Sequence, residues 1–273
     1  MRPAAQTVTR VGIAGFGAIG QELARGLAQG IPGLTLAAVA ARDHNRARAN
    51  LIRIGADAPV VDIEGLEPLS DLVVECAPAD VLPAIAEPVL RAGKEIVVLS
   101  AGVLLQRPDL IDLARECGGR ISVPTGALIG LDAVGAAAEG TIESVRMTTR
   151  KPGPGLVGAP YLEGLDVDLE DVQRPVRIFC GTAREAAEGF PANLNVAAAL
   201  ALAGVGPERT MVEVWVDPRV TKNTHTIEVK ADVADFTMTI ENVPSENPRT
   251  GRITALSVIS LLRKRGAALS VGT

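Results

Sequence analysis

Aromatic side chains are scarce in this sequence: one Trp, one Tyr and four Phe among 273 residues. With 47% of residues apolar, the core has to be assembled from Ala, Val, Leu and Ile. That palette suits buried parallel strands flanked by helices and argues against an aromatic-rich sandwich. Cysteine is also rare. Cys76, Cys117 and Cys180 are odd in number and far apart, which excludes a disulfide framework and any metal-type spacing. No metal site is expected, and a reducing, cytoplasmic setting fits. There is no dense basic block: 27 Lys and Arg stand against 32 Asp and Glu, a net charge of −5. Nucleic acid is therefore excluded as a partner, because phosphate neutralisation needs clustered cations. No apolar run reaches the ~18 residues of a membrane-spanning helix. The most apolar stretch, "NVAAALALAGVG" at 195–206, is too short, so no membrane association is expected. The opening "MRPAAQTVTR" lacks the apolar centre of a signal peptide.

What is present reads as two domains, at roughly 100–200 residues each. Residues 9–15 form an apolar strand, and 18–29 a helix with Leu23 and Leu27 on one face. Strands follow at 34–42, 71–77, 95–101 and 120–126, separated by helices at 46–54, 79–92 and 108–117. Pro83 sits near the start of the helix at 79–92, and Pro88 lies inside it. Alternation of this kind implies a parallel sheet with right-handed crossovers. Beyond 126 the strands lengthen and alternate: "TIESVRMTTRKP", "VRIFCG", "TMVEVWVDP", "THTIEVKAD" and "DFTMTIENVP". One helix, at 191–203, sits among them, which suggests a mixed or antiparallel sheet with one exposed face. An amphipathic helix at 249–266 ends in basic residues and glycine, and is expected to return to the first domain. The fold class is α/β. A Rossmann-type domain at 1–125 and 247–273 is followed by a second α/β domain at 126–246 for substrate, catalysis and dimerisation.

"VGIAGFGAIGQELARGL" carries Gly15, Gly17 and Gly20 in G-x-G-x-x-G spacing between the first strand and the first helix. Gly15 permits the tight turn, Gly17 lets backbone approach a pyrophosphate, and Gly20 lets helix pack close on strand. The phosphates then meet the free N–H groups and the positive end of the helix. An acidic residue after the second strand would hold a ribose 2′-hydroxyl. Here Ala40 and Ala41 stand where that acid usually does, and Arg42 follows. Arg42 accommodates a 2′-phosphate, so the cofactor is NAD or NADP, with acceptance of NADP favoured. The alternative is that Asp43 supplies the carboxylate and Arg42 is an ordinary surface residue.

Only two histidines are available for proton transfer near neutral pH. His44 reads as a solvated loop residue beside the adenosine pocket, with a 2′-phosphate contact as the alternative. His225, in "DPRVTKNTHTIEV", reads as a residue of the loop before a strand starting near Thr226; it is either catalytic or a hydrogen-bonded turn residue. "TTRKPGPG" offers Arg150 and Lys151 as cations for an anionic substrate, or forms a solvated turn. Asn193 and Asn195 open the helix of the second domain; Asn193 is a candidate cap, and the pair could offer amides to a cofactor.

Taken together, "GIAGFGAIG", "VVECA", "SVPTGALIGLDAV", "TTRKP", "GTAREAAEGFPANLNVAAALALAG", "DPRVTKNTH" and "IENVPSENPRTG" resemble the L-aspartate dehydrogenases, in order from about residue 11 to 262. The resemblance implies a Rossmann domain with an α/β substrate domain, as a homodimer. The activity it implies is NAD(P)-dependent oxidation of L-aspartate to iminoaspartate, or the reverse from oxaloacetate and ammonia, in a step able to feed NAD biosynthesis. It implies His225 as the catalytic residue, Ala127 as a cofactor contact through its backbone amide, and Asn195 as another. With the glycine loop and Arg42 read above, the full candidate cofactor set is Gly15, Gly17, Ala18, Ile19, Gly20, Arg42, Cys76, Ala77, Ser100, Ala127 and Asn195. Thr148, Thr149, Arg150, Lys151 and Asn223 are the candidate substrate contacts. Three departures stand out. Ala41-Arg42 replaces the family's usual acid, "PTGALIGLD" stands for "PSGAIGGLD", and "VPSENPRTG" lacks one proline of "PSPENPRT". Two other readings stay open: a dehydrogenase or imine reductase for another amino or keto acid, and a non-catalytic dinucleotide sensor.

Overall fold

The structure, a computed structural model, describes residues 8–156, 159–163, 169, 172–191, 194–244 and 251–272. Strands and helices are numbered along the chain. The chain divides into two compact units. The first comprises Met1–Ser100, Arg107–Pro124 and Ala255–Val271; the second comprises Ala101–Gln106, Thr125–Thr254 and Gly272–Thr273.

The first unit is built on six parallel strands: β1 (Thr9–Ala14), β2 (Leu34–Ala40), β3 (Val60–Val61), β4 (Leu72–Glu75), β5 (Glu95–Val98) and β6 (Arg120–Ser122). Their order is β3-β2-β1-β4-β5-β6. This is the doubly wound Rossmann order, which reverses direction beside β1. The central strands are buried end to end, which is why they read as unbroken apolar runs. The helices are α1 (Ala18–Ala28), α2 (His44–Ile54), α3 (Leu82–Arg91) and α5 (Asp109–Cys117), with α9 (Ile253–Arg265) packed on the same core. Leu23 and Leu27 of α1 are buried as their spacing requires, and Val258 and Leu262 of α9 join them. A Cβ on Gly26 of α1 would come 3.0 Å from Ile259, so the absence of a side chain lets the two helices close. Each fully buried Leu or Ile contributes roughly 1.5–3 kcal/mol.

Several boundaries differ from the sequence reading. The helix expected at 79–92 opens as a 3-10 turn, Ala79–Val81, before α3; Pro83 fits its first turn. The strand expected to reach 101 stops at Val98, because the next two N–H groups turn to the Glu75 carboxylate. The two-residue edge strand β3 carries too little pattern to read. The terminal helix begins at Ile253 rather than 249 and does end in Arg263, Lys264 and Arg265.

The second unit holds a five-stranded mixed sheet in the order β11-β10-β7-β9-β8. Its strands are β7 (Ile142–Lys151), β8 (Val176–Thr182), β9 (Thr210–Val216), β10 (Asn223–Ala231) and β11 (Phe236–Asn242). Only β7 and β9 run parallel. One helix was expected here, but the described residues contain α4 (Ala101–Gln106), α6 (Leu131–Ala138), α7 (Ala183–Gly189) and α8 (Asn195–Ala203). α7 opens with a reciprocal capping box between Thr182 and Glu185. α8 starts four residues later than read, and Asn193 lies outside the described residues. The core is not purely aliphatic either. Phe179 and Phe190 are buried in it, and the exposed Tyr161 packs against both, the three rings meeting with centroids 5.1–5.6 Å apart. Among the described residues, no helix is long and apolar enough to cross a membrane, and no His, Cys, Asp and Glu cluster could hold a metal ion.

Candidate active site

In the first unit the glycine loop leaves the C-terminal end of β1. Gly15 has φ +99°, and a Cβ there would lie 2.5 Å from the Cys76 carbonyl oxygen. A Cβ on Gly20 would lie 2.2 Å from the Gly15 carbonyl, so α1 packs against the loop with no room for a methyl group. At Gly17 the situation reverses: a Cβ would meet nothing within 4 Å. Gly17 caps α1 without any side-chain hydrogen bond, and no acid sits in the first turn. The N–H groups of Ala18, Ile19 and Gly20 thus lack an intrahelical acceptor and face the positive end of the helix dipole. Open space beside uncapped donors fits a pyrophosphate.

The second strand delivers Arg42 to an exposed turn, where its side chain has no ion pair among the described residues. Asp43 is engaged: its Oδ1 accepts the Arg46 N–H at 2.9 Å and caps α2. His44 is not in a loop but is the first residue of α2, its Nε2 lying 3.1 Å from Asp62 Oδ1. Ser100 is also committed. Glu75, fully buried at the end of β4, accepts from the Ser100 hydroxyl (3.0 Å), the Ser100 N–H (2.8 Å) and the Leu99 N–H (3.0 Å). Burial raises the Glu75 pKa, and those three hydrogen bonds oppose the rise. Loss of water and the Glu75 charge push the Cys76 thiol up. Cys76 and Ala77 therefore border the glycine loop with backbone, not with a reactive thiolate.

In the second unit the strand period of two sorts the candidates by face. Val145, Met147, Thr149 and Lys151 of β7 point inward, whereas Thr148 and Arg150 fall on the opposite face. There Arg150 stacks over Trp215 at 4.8 Å and pairs with the buried Asp217 at 3.2 Å. So Thr148 and Arg150 are not brought together with Thr149 and Lys151. His225 is not a loop residue. It is the third residue of β10, 3% exposed and paired in register with Thr149. Its Nδ1 lies 3.1 Å from Thr149 Oγ1. Lys151 is 2% exposed, and Asn223 and Asn242 are register partners on β10 and β11, both buried. These side chains make a polar island at one end of an inward face that is otherwise Val, Met and Ile.

The island's electrostatics follow from its dryness. Burial lowers the Lys151 pKa to about 8. Burial first, and the Lys151 charge second, lower the His225 pKa to about 3. At neutral pH the site holds a cation beside a neutral imidazole that can accept a proton. Asn195 is the first residue of α8, and its Oδ1 accepts the Gly102 N–H at 3.1 Å, so it caps α4 across 93 positions of sequence. Ala127 lies in a half-buried turn, and its carbonyl accepts from Asn242 Nδ2 at 2.9 Å. Asn242 escaped the sequence reading. Its one signal was a polar residue in phase with Met238 and Ile240 on the inward face of its strand.

A Rossmann unit with an open phosphate cradle, and a second unit presenting a dry histidine–lysine pair, define a dinucleotide-dependent dehydrogenase. Comparison with known proteins narrows this. Residues 15–124 match the family model "Homoserine dehydrogenase, NAD binding domain", and residues 132–265 match "Aspartate dehydrogenase, C-terminal". The L-aspartate dehydrogenase of Bradyrhizobium diazoefficiens is 58% identical over 98% of this chain and 96% of its own. The L-aspartate dehydrogenase 3 of Bordetella bronchiseptica is 54% identical over 96% and 97%. The aspartate dehydrogenase structure from Thermotoga maritima superposes with a TM-score of 0.73 at 23% identity, covering 97% of this chain and 99% of that one; this likeness bears on the fold. The chain belongs to the L-aspartate dehydrogenase family.

Proposed function

We propose that this chain interconverts L-aspartate and iminoaspartate with NAD or NADP, the imine hydrolysing to oxaloacetate and ammonia. The observation that carries the reading is the buried Thr149–His225–Lys151 cluster on one face of the second unit's sheet, in a chain of this family. The nicotinamide cofactor, when bound, supplies the hydride acceptor or donor. Gly15, Gly17 and the first N–H groups of α1 hold its pyrophosphate. Ala127 and Asn195 are further contacts. Arg42 receives the 2′-phosphate of NADP; the commitment of the Asp43 Oδ1 to its helix supports NADP acceptance.

The substrate amine has to lose a proton before it can release hydride. His225 takes that proton, because its burial keeps it neutral and unprotonated at pH 7. For Nε2 to be the accepting atom, Nδ1 carries the hydrogen and donates it to Thr149 Oγ1. Lys151 receives a substrate carboxylate in a charge-assisted bond, which is strong where water is excluded. The two carboxylates of the bound substrate in turn favour protonated His225, raising its basicity when it is needed. The homodimer implied by the resemblance belongs to this reading, and sedimentation tests it.

The decisive assay supplies purified protein with oxaloacetate, ammonia and NADH or NADPH, and with L-aspartate and the oxidised cofactors in reverse. Turnover confined to another amino acid, or absent with every one, would overturn the reading. His225→Ala should lose about 10²–10⁴-fold in turnover while cofactor still binds. Turnover near that of the wild type would remove His225 from the chemistry.

A further inference from the structure

Asn242 closes β11 with its side chain 3% exposed. Its Nδ2 donates to the Ala127 carbonyl at 2.9 Å. Its Oδ1 is buried and has no hydrogen-bond partner among the described residues. Buried amide oxygens are rarely left unmatched, because the loss of water goes uncompensated. The fixed Nδ2 bond decides which end of the amide is nitrogen, so the orphan atom is an acceptor. The Ala127 N–H is a complementary orphan, with no hydrogen bond among the described residues. An acceptor and a donor, tied to one turn by the Asn242–Ala127 bond, are the complement of a primary carboxamide. Substrate carboxylates are acceptors only and leave Oδ1 unmatched.

We propose that Asn242 Oδ1 and the Ala127 N–H together bind the carboxamide of the nicotinamide ring. The carboxamide N–H₂ donates to Asn242, and its oxygen accepts from Ala127. Asn242 is thus a cofactor-positioning residue that fixes which face of the ring is presented. This inference rests on the dinucleotide reading given above.

The test is a binding titration of the full chain, followed by calorimetry. Reduced NAD is compared with its 3-acetylpyridine analogue, in which a methyl group replaces the amide nitrogen. The wild type should bind NADH about tenfold more tightly than the analogue, since the analogue leaves a buried acceptor unmatched. In Asn242→Ala that preference should shrink to about twofold or less. ADP-ribose, which lacks the nicotinamide, should bind wild type and variant alike, showing that the variant is folded. Equal binding of NADH and the analogue by the wild type needs no variant and would overturn the proposal. So would a preference that survives in Asn242→Ala. An unchanged NADH affinity with a raised KM for aspartate would assign the acceptor to the substrate amine instead. Failure of the wild type to bind ADP-ribose would take down the dinucleotide reading itself, and the proposal with it.

Discussion

Replacing His225 by Gln tests the dryness of the site without any substrate. The fold lowers the imidazole pKa from 6.5 to about 3, through burial and the neighbouring Lys151 charge. Once the chain unfolds, the ring returns to about 6.5. Between those two values the unfolded chain binds a proton that the folded chain does not. Stability is therefore complete above pH 6.5 and declines as the pH falls toward 3. Each unit in that window is worth about 1.4 kcal/mol, so at pH 4.5 the ring alone accounts for a loss of about 2.7 kcal/mol. Gln fills similar space and does not titrate. Trp215, the sole tryptophan, stands on β9 of the same unit and reports its unfolding by fluorescence. Urea unfolding at pH 7.5 and 4.5 yields the four free energies needed. All other titrating groups cancel in the difference, leaving the wild type to lose about 2–3 kcal/mol more than His225→Gln. Parallel losses in the two proteins would refute the claim that the ring is held neutral, and with it the account of His225 as a base poised by burial.

Three further outcomes are expected. Thr149→Val keeps the shape and deletes the hydroxyl beside Nδ1; kcat should fall about 10–100-fold with KM and cofactor affinity unchanged, and Thr149→Ser should restore it, as a pH–rate profile of the three proteins would record. Lys151→Met should raise the KM for aspartate about 10–100-fold. Since burial puts Lys151 near a pKa of about 8, the wild-type KM should climb as the pH rises above that value and the ammonium loses its charge, and the variant's should stay flat. Arg42→Asp should lower the ratio of NADP to NAD efficiency by about tenfold or more in steady-state kinetics; an unchanged ratio would reject the 2′-phosphate contact.

The first unit was legible because its strands are buried on both faces and its glycines sit at a strand–helix junction. Unbroken runs such as "LVVE" and "EIVV" announce themselves, and Gly15 and Gly20 are each required by a contact closer than any Cβ permits. The second unit was harder for a physical reason. A half-buried strand is recognised by apolar residues on its inward face, and β10 begins with Asn223 and His225 in those positions. Polar inward residues imitate a loop, so this end of the strand reads as one. Period two did hold the information that "TTRK" splits between two faces. What it lacked was which face turned inward, and that is set by the helices packed on the sheet. α6 and α7, "LDAVGAAA" and "AREAAEG", hold few large side chains and so give little periodic signal. Asn195 reads as a helix-opening residue and caps a different helix, a partnership that only the fold creates.

The first unit takes its core from three separated stretches of chain, with Val258 and Leu262 arriving last. During synthesis, the strands of its parallel sheet are all made while the seat for α9, beside Gly26, still stands open. Some 130 residues of the second unit have to emerge before that seat is filled. Order of synthesis and order of completion therefore run in opposite senses. The dinucleotide unit begins first and is finished last, so a ribosome that stalls before residue 255 releases a sheet with a bare apolar flank, matched to aggregation or to a chaperone.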